Sequence, residues 1–214
     1  MAQRKIGILG GSFNPVHNAH LRLAVEAVEQ AGLDRLDLVP AARPPHKGDR
    51  DLLPFSERCR FLELALRNRP RLELNPLEGR REGPSYTVDT LEEYLRSHPG
   101  EAIHFVLGGD EFLHLSSWHR WERISELAHI LLTGRGEESH QGIREAVREH
   151  FPSAGITQQE PLIWTLPGGG SLQVIELPRM DISSSLIRER LRQDRSLAWL
   201  VPEAVEGELY GVWR

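Results

Sequence analysis

Apolar residues along the chain fall into two alternating rhythms. Short, mostly apolar runs occur at KIGIL (5–9), LDLV (36–39), RLELN (71–75), AIHFVL (102–107), HILLT (129–133) and LQVIEL (172–177). Between them lie longer stretches with apolar residues three and four apart: AHLRLAVEAVEQAG (19–32), PFSERCRFLELALRN (54–68), TVDTLEEYLRSH (87–98) and SSSLIRERLRQ (183–193). The short runs predict strands and the longer ones predict helices, with stop signals at Gly32 and Pro70. Alternation of this kind predicts parallel βαβ units, and hence an α/β fold built on an open parallel sheet with helices on both faces. Such sheets bind ligands beyond the carboxyl ends of their strands, near the switch point. The segments at 42–54 and 134–142 read as long polar loops. PGGGS (167–171) reads as a hairpin turn, because no helix follows it.

Bulk properties narrow the possibilities further. A chain of 214 residues can bury a real core without disulfides. With no internal repeat and no low-complexity linker, it is expected to form a single domain over 1–214, with a C-terminal helical part from about 181. The formal net charge of −5 argues against a general binder of nucleic acid or anionic membrane, while leaving room for a local basic pocket. The single cysteine, Cys59, excludes an internal disulfide or a multi-cysteine metal site and is expected to act as a small buried hydrophobe. No stretch has the apolar length of a signal core or a membrane span, so the expected location is the cytoplasm.

Candidate chemistry concentrates at two places. KIGILGGSFNPVHNAH (5–20) joins a strand, a glycine pair and the start of a helix, an arrangement that turns backbone N–H groups and a positive dipole end toward a phosphate. Gly7, Gly10 and Gly11 do not make G-x-G-x-x-G, and no G-x-x-x-x-G-K-[ST] occurs. His17 and His20, at i and i+3, share one face of a helical turn above the glycines, where both can donate to one phosphoryl group. A histidine pair also suits zinc, but here there is no H-E-x-x-H and no third ligand at an obvious spacing. The second place is DISSSLIRERL (181–191), where Asp181 or Ser183 can cap a helix, Ser183 to Ser185 add hydroxyls, and Arg188 follows one turn later. By itself that segment also fits an ordinary capped amphipathic helix.

Taken together, HNAH (17–20) and ISSSLIR (182–188) resemble the paired signatures of the nucleotidyltransferase superfamily, a (H/T)-x-G-H loop after the first strand and an I-S-S-x-x-I-R segment near the C-terminus. PPHK (44–47), GPSYTVDTL (83–91), LGGDEF (107–112) and WHRWERI (118–124) are similar to the bacterial nicotinate mononucleotide adenylyltransferases, and the similarity runs over nearly the whole chain. Asn14 stands where that family usually has Asp, and Ala19 where it has glycine. LSSW (115–118) lacks a common proline, and TGRGE (133–137) replaces a frequent Arg-Pro-Gly.

The resemblance implies a Rossmann-like fold and direct adenylyl transfer from ATP to nicotinate mononucleotide, giving nicotinate adenine dinucleotide and pyrophosphate. An existing phosphate attacks, so no protein nucleophile or general base is needed, and the protein's work is positioning and charge stabilisation. On this resemblance His17 and His20 bind the reacting phosphate, whose charge is expected to favour their protonated forms. Lys47 and Arg188 hold the leaving phosphates. Gly10, Gly11, Ser12, Phe13, Gly108, Asp110, Ile182, Ser183 and Ser184 fall to the ATP side, and Tyr86, Thr87, Trp118 and Arg135 to the nicotinate side. Tyr86 and Trp121 fit a role as packing aromatics equally well. Mg²⁺ is expected to ride on the ATP phosphates without a protein ligand.

Overall fold

KIGILGG has an apolar residue on each face of a strand, as a central position in a covered sheet requires. In the computed structural model, which describes residues 3–45, 52–134, 136–159 and 161–213, it forms β1 (Lys5–Gly11), an interior strand third from one edge of an eight-stranded sheet. The other strands are β2 (Arg35–Pro40), β3 (Leu72–Leu74), β4 (Ala102–Gly108), β5 (His129–Gly134), β6 (Gly155–Gln158), β7 (Ile163–Thr165) and β8 (Ser171–Glu176). Their order is β3-β2-β1-β4-β5-β8-β7-β6. β1 to β5 and β8 pair in parallel, and β7 pairs antiparallel with both its neighbours. The chain leaves β1 toward β2 on one side and returns to β4 on the other. The switch point therefore lies between β1 and β4, at the carboxyl ends that carry Gly10–Gly11 and Gly108.

Alternate residues of each strand feed two cores. Ile6, Ile8, Phe105, Ile130 and Val174 face one layer, covered by Leu91 and Tyr94 of α3 (Thr87–Ser97), Ile124 of α5 (Ile124–Leu127), and Ile143 and Val147 of α6 (Gly136–His150). Leu36, Leu38, Val106, Leu131 and Ile175 face the other. There α1 (Asn18–Ala31), α2 (Phe55–Leu66), α7 (Ser184–Arg192) and α8 (Glu203–Val212) contribute Ala24, Phe61, Ile187 and Leu209. Gly32 closes α1 in the left-handed region at φ 62°, as the stop signal predicts.

Two expectations need correction. Residues 134–142 are not a loop, since α6 begins at Gly136. Its first two turns carry no large apolar residue, and only Ile143, Ala146 and Val147, buried at three- and four-residue spacing, reveal the face that holds it. Cys59 is half-buried rather than buried, and partial burial pushes its thiol up. The PGGGS hairpin stands as expected between β7 and β8, with Gly168 and Gly169 at φ +92° and +90°. No helix among the described residues is long and apolar enough to cross a membrane.

Candidate active site

At the carboxyl end of β1 the backbone is laid open. A side chain on Gly10 would meet nothing nearer than the Phe105 ring, whereas a Cβ on Gly11 would press within 3.2 Å of the Phe13 ring. Phe13 is fully buried with φ 45°, a left-handed conformation costly for an aromatic residue, and it fills the space beneath Gly11. Asn14, 4% exposed, accepts the Leu53 N–H on Oδ1 at 3.0 Å and an Arg188 N–H on its carbonyl at 2.8 Å. Residue 14 thus ties together three segments of the site, its side-chain amide holding Leu53 and its main chain holding Arg188.

His17 is the N-cap of α1 and His20 lies in its first turn, so the helix brings their rings into a stack with centroids 3.6 Å apart. The His17 backbone N–H donates to Nδ1 of His20 at 3.3 Å, which leaves the His20 proton on Nε2. Burial holds His17 well below its ordinary value, at about 4, so in the free protein this imidazole is neutral near pH 7. The first turn of α1 has no acidic residue to neutralise the positive end of its dipole.

The C-terminal cluster reaches the same loop. Ser183 caps α7 by accepting the Leu186 N–H at 3.1 Å, and the Ser184 hydroxyl donates to the Pro15 carbonyl at 3.0 Å. Arg188 holds the Asn14 carbonyl and the Ser185 hydroxyl, while its Nε is buried without a partner among the described residues. Asp181 is exposed and pairs with Arg179, so the capping alternative resolves to Ser183. Ile182 packs against the core beneath. At the end of β4, Gly108 precedes α4 (Gly109–Phe112), with Asp110 exposed in its first turn.

On the other side of β1 a cavity of about 120 Å³ is lined by Pro45, Ser85, Tyr86, Thr87, Trp118 and His119. Thr87 opens α3 and Tyr86 is its N-cap, so free N–H groups of that helix start at the cavity wall. Tyr86 stacks on His119 at 4.2 Å, and Trp118 stands edge-on to Phe105 at 6.4 Å. Trp121, partly buried, packs against Phe151 and His150, which favours the packing alternative. A larger cavity, about 200 Å³, opens at the amino ends of the strands beside Gln3 and His129 and contains none of the predicted site residues.

Lys47 and Arg135 lie outside the described residues. Among the described residues no three His, Cys, Asp or Glu side chains converge as they would to hold a metal ion. Sequence reasoning missed His119, Glu78 and Arg58. Only Arg58 left a clear signal: it falls with Phe61, Leu62 and Ala65 on the apolar stripe of α2, where a charge has no ordinary reason to be.

A family model described as cytidylyltransferase-like matches residues 8–190. A protein of Trichlorobacter lovleyi described as a probable nicotinate-nucleotide adenylyltransferase is 40% identical over 206 residues, covering 94% of each chain. One of Geobacter metallireducens with the same description is 39% identical, covering 94% of this chain and 93% of its own. Among solved structures, Plasmodium falciparum nicotinic acid mononucleotide adenylyltransferase complexed with NaAD superposes with a TM-score of 0.73 at 20% identity, covering 99% of this chain and 98% of its own.

Proposed function

The chain belongs to the cytidylyltransferase-like family, and from that premise we propose that it transfers the adenylyl group of ATP to nicotinate mononucleotide, releasing nicotinate adenine dinucleotide and pyrophosphate. The observation that carries this reading is the presence of two unlike half-sites past the carboxyl ends of the strands, joined through the Arg58 bonds to Ser12 and Ala41. One is a glycine loop with stacked imidazoles, and the other an aromatic cavity walled by a helix N-terminus. The chain works as one nucleotidyltransferase domain over 1–214.

No cluster of His, Cys, Asp or Glu among the described residues would hold a metal ion, so Mg²⁺ would be carried by ATP itself and would supply positive charge against that of its phosphates. Gly10, Gly11, Ser12 and Phe13 form the floor for the nucleotide, Gly108 and Asp110 take its ribose side, and the Ile182–Ser184 segment closes the base side. An oxygen of the acceptor phosphate forms the new bond to the α-phosphorus in line, and the bond from that phosphorus to the β-phosphate oxygen breaks, the electron pair leaving with pyrophosphate. His17 and His20 donate N–H groups to the α-phosphate as its charge redistributes. Arg188 and Lys47 hold the departing phosphates, Arg188 through the planar fork already fixed on Asn14 and Ser185. Trp118 and Tyr86 present flat faces to the pyridine ring. Thr87 and the first N–H groups of α3 favour a carboxylate over a neutral amide there, and Arg135 adds positive charge on the acceptor side.

Pyrophosphate release from MgATP tests the reading, first with nicotinate mononucleotide and then with nicotinamide mononucleotide. Fast release with the acid, slow release with the amide and little from His17→Ala or His20→Ala is the expected pattern. Release that survives both substitutions would remove the imidazoles from the reaction.

A further inference from the structure

We infer that Arg58 is a positioning residue for the transfer reaction, a buried guanidinium that fixes the distance between the ATP loop and the acceptor cavity. The inference rests on the reaction proposed above. Arg58 lies in the first turn of α2, where a positive charge opposes the helix dipole, and it is only 1% exposed. Burying a cation there is costly unless its donors are satisfied. Its nitrogens donate to the carbonyls of Ser12 at 2.9 Å, Ala41 at 2.7 Å, Leu53 at 3.0 Å and, more loosely, Ala42 at 3.4 Å. Among the described residues it forms no close ion pair with a carboxylate, so its charge is balanced chiefly by main-chain dipoles from three separate segments, with the Glu78 carboxylate adding a more distant attraction.

Those segments border both halves of the proposed site. Ser12 follows the glycine pair. Ala41 begins the segment that runs past Arg43 to Pro45 on the cavity wall, and Leu53 ends the same excursion. The far side of that segment is tied as well. Ser85 donates its N–H to the Arg43 carbonyl at 2.9 Å and accepts the Arg43 N–H on its hydroxyl at 3.0 Å, while Glu78 accepts the Ala42 N–H at 3.3 Å. One guanidinium therefore links the floor under the α-phosphate to the strand of chain that lines the acceptor cavity. In-line attack depends on that separation, and a misplacement of about 1 Å can cost on the order of 10² in rate. A lysine cannot replace the fork, because its donors all sit on one nitrogen whereas Arg58 reaches these carbonyls from three separate nitrogens.

Steady-state kinetics on Arg58→Lys and Arg58→Ala, with melting curves and added guanidinium chloride at non-denaturing concentration, test this. Arg58→Lys is expected to fold and to lose about 10² in kcat with either KM changed by less than about threefold, the signature of lost alignment rather than lost binding. Arg58→Ala is expected to regain about tenfold in kcat when guanidinium is added, and His20→Ala to regain nothing. A kcat within threefold of the unsubstituted protein in Arg58→Lys, a loss confined to the KM for ATP, or a folded Arg58→Ala that guanidinium does not rescue would each overturn the inference. Should Arg58→Ala fail to fold, Arg58→Lys decides alone. If the unsubstituted protein releases no pyrophosphate, the reaction itself is refuted and this inference falls with it, a result distinct from active Arg58 variants.

Discussion

His17 offers the sharpest test of how the site handles charge. The sequence alone suggests an imidazolium facing phosphate, yet burial holds the free His17 at about 4 and its ring lies 3.6 Å from that of His20. To be protonated in the complex at pH 7, His17 would have to be lifted by some three pH units, a cost on the order of 4 kcal/mol. A hydrogen bond to a charged group returns only about 1.5–3 kcal/mol. The neutral form should therefore persist, donating one N–H. His17→Ala then removes a donor and should lower kcat by about 10²–10³, while MgATP binding should take up almost no proton at His17 near pH 7. Calorimetry of MgATP binding in Pipes and in Tris, buffers of very different ionisation enthalpy, reads the proton count directly. An uptake near one proton at pH 7 that disappears in His17→Ala would refute the reasoning and restore the imidazolium.

Other predictions follow from the same geometry. Thr87→Val keeps the shape of the α3 start but deletes a donor at the cavity wall, so the ratio of kcat/KM for the acid acceptor over the amide should fall by about tenfold, and an unchanged ratio would remove Thr87 from recognition. His104 and His17 are both held at about 4 by burial, below the 6.5 they take when unfolded. The unfolded chain thus binds protons first, and stability should be level above pH 6.5 and fall toward pH 4, by roughly 2–3 kcal/mol for each histidine. Denaturant midpoints measured from pH 8 to pH 4.5 check the slope, which His104→Phe should flatten. A Cβ on Gly109 would stand 2.7 Å from the Thr133 carbonyl oxygen, so Gly109→Ala should cost about 1–3 kcal/mol and lower Tm, and an unshifted melting curve would show that β5 yields.

What the sequence could reveal depended on whether the information was local. The strands of the parallel sheet and α1, α2, α3 and α7 were legible because each carries its own period and its own stop or cap. The first two turns of α6 were not, since nothing in Gly136–Gly142 announces a helix that is held only by apolar residues further on. β6 was equally silent, because every one of its residues is exposed and it exists only by pairing with β7. Cys59 illustrates the same limit at one side chain: its helix was predicted correctly, but how far a neighbour covers it is not written in the helix.

The sequence by itself determined the α/β class, the glycine loop with its two histidines and the C-terminal serine–arginine cluster, all of which are short-range patterns with a direct physical meaning. Only the tertiary structure decided that Ser184 and Arg188 would lie against Pro15 and Asn14, about 170 residues away along the chain, and that Tyr86, Thr87 and Trp118 would enclose one cavity. It also decided that Arg58, an apparent misfit on an apolar stripe, would find its partners in four main-chain carbonyls. The physical reason is that hydrogen bonds and burial act between atoms brought together by the whole sheet. The protonation state of His17 belongs to this second kind, because it depends on the depth at which the fold places the ring rather than on its neighbours in sequence.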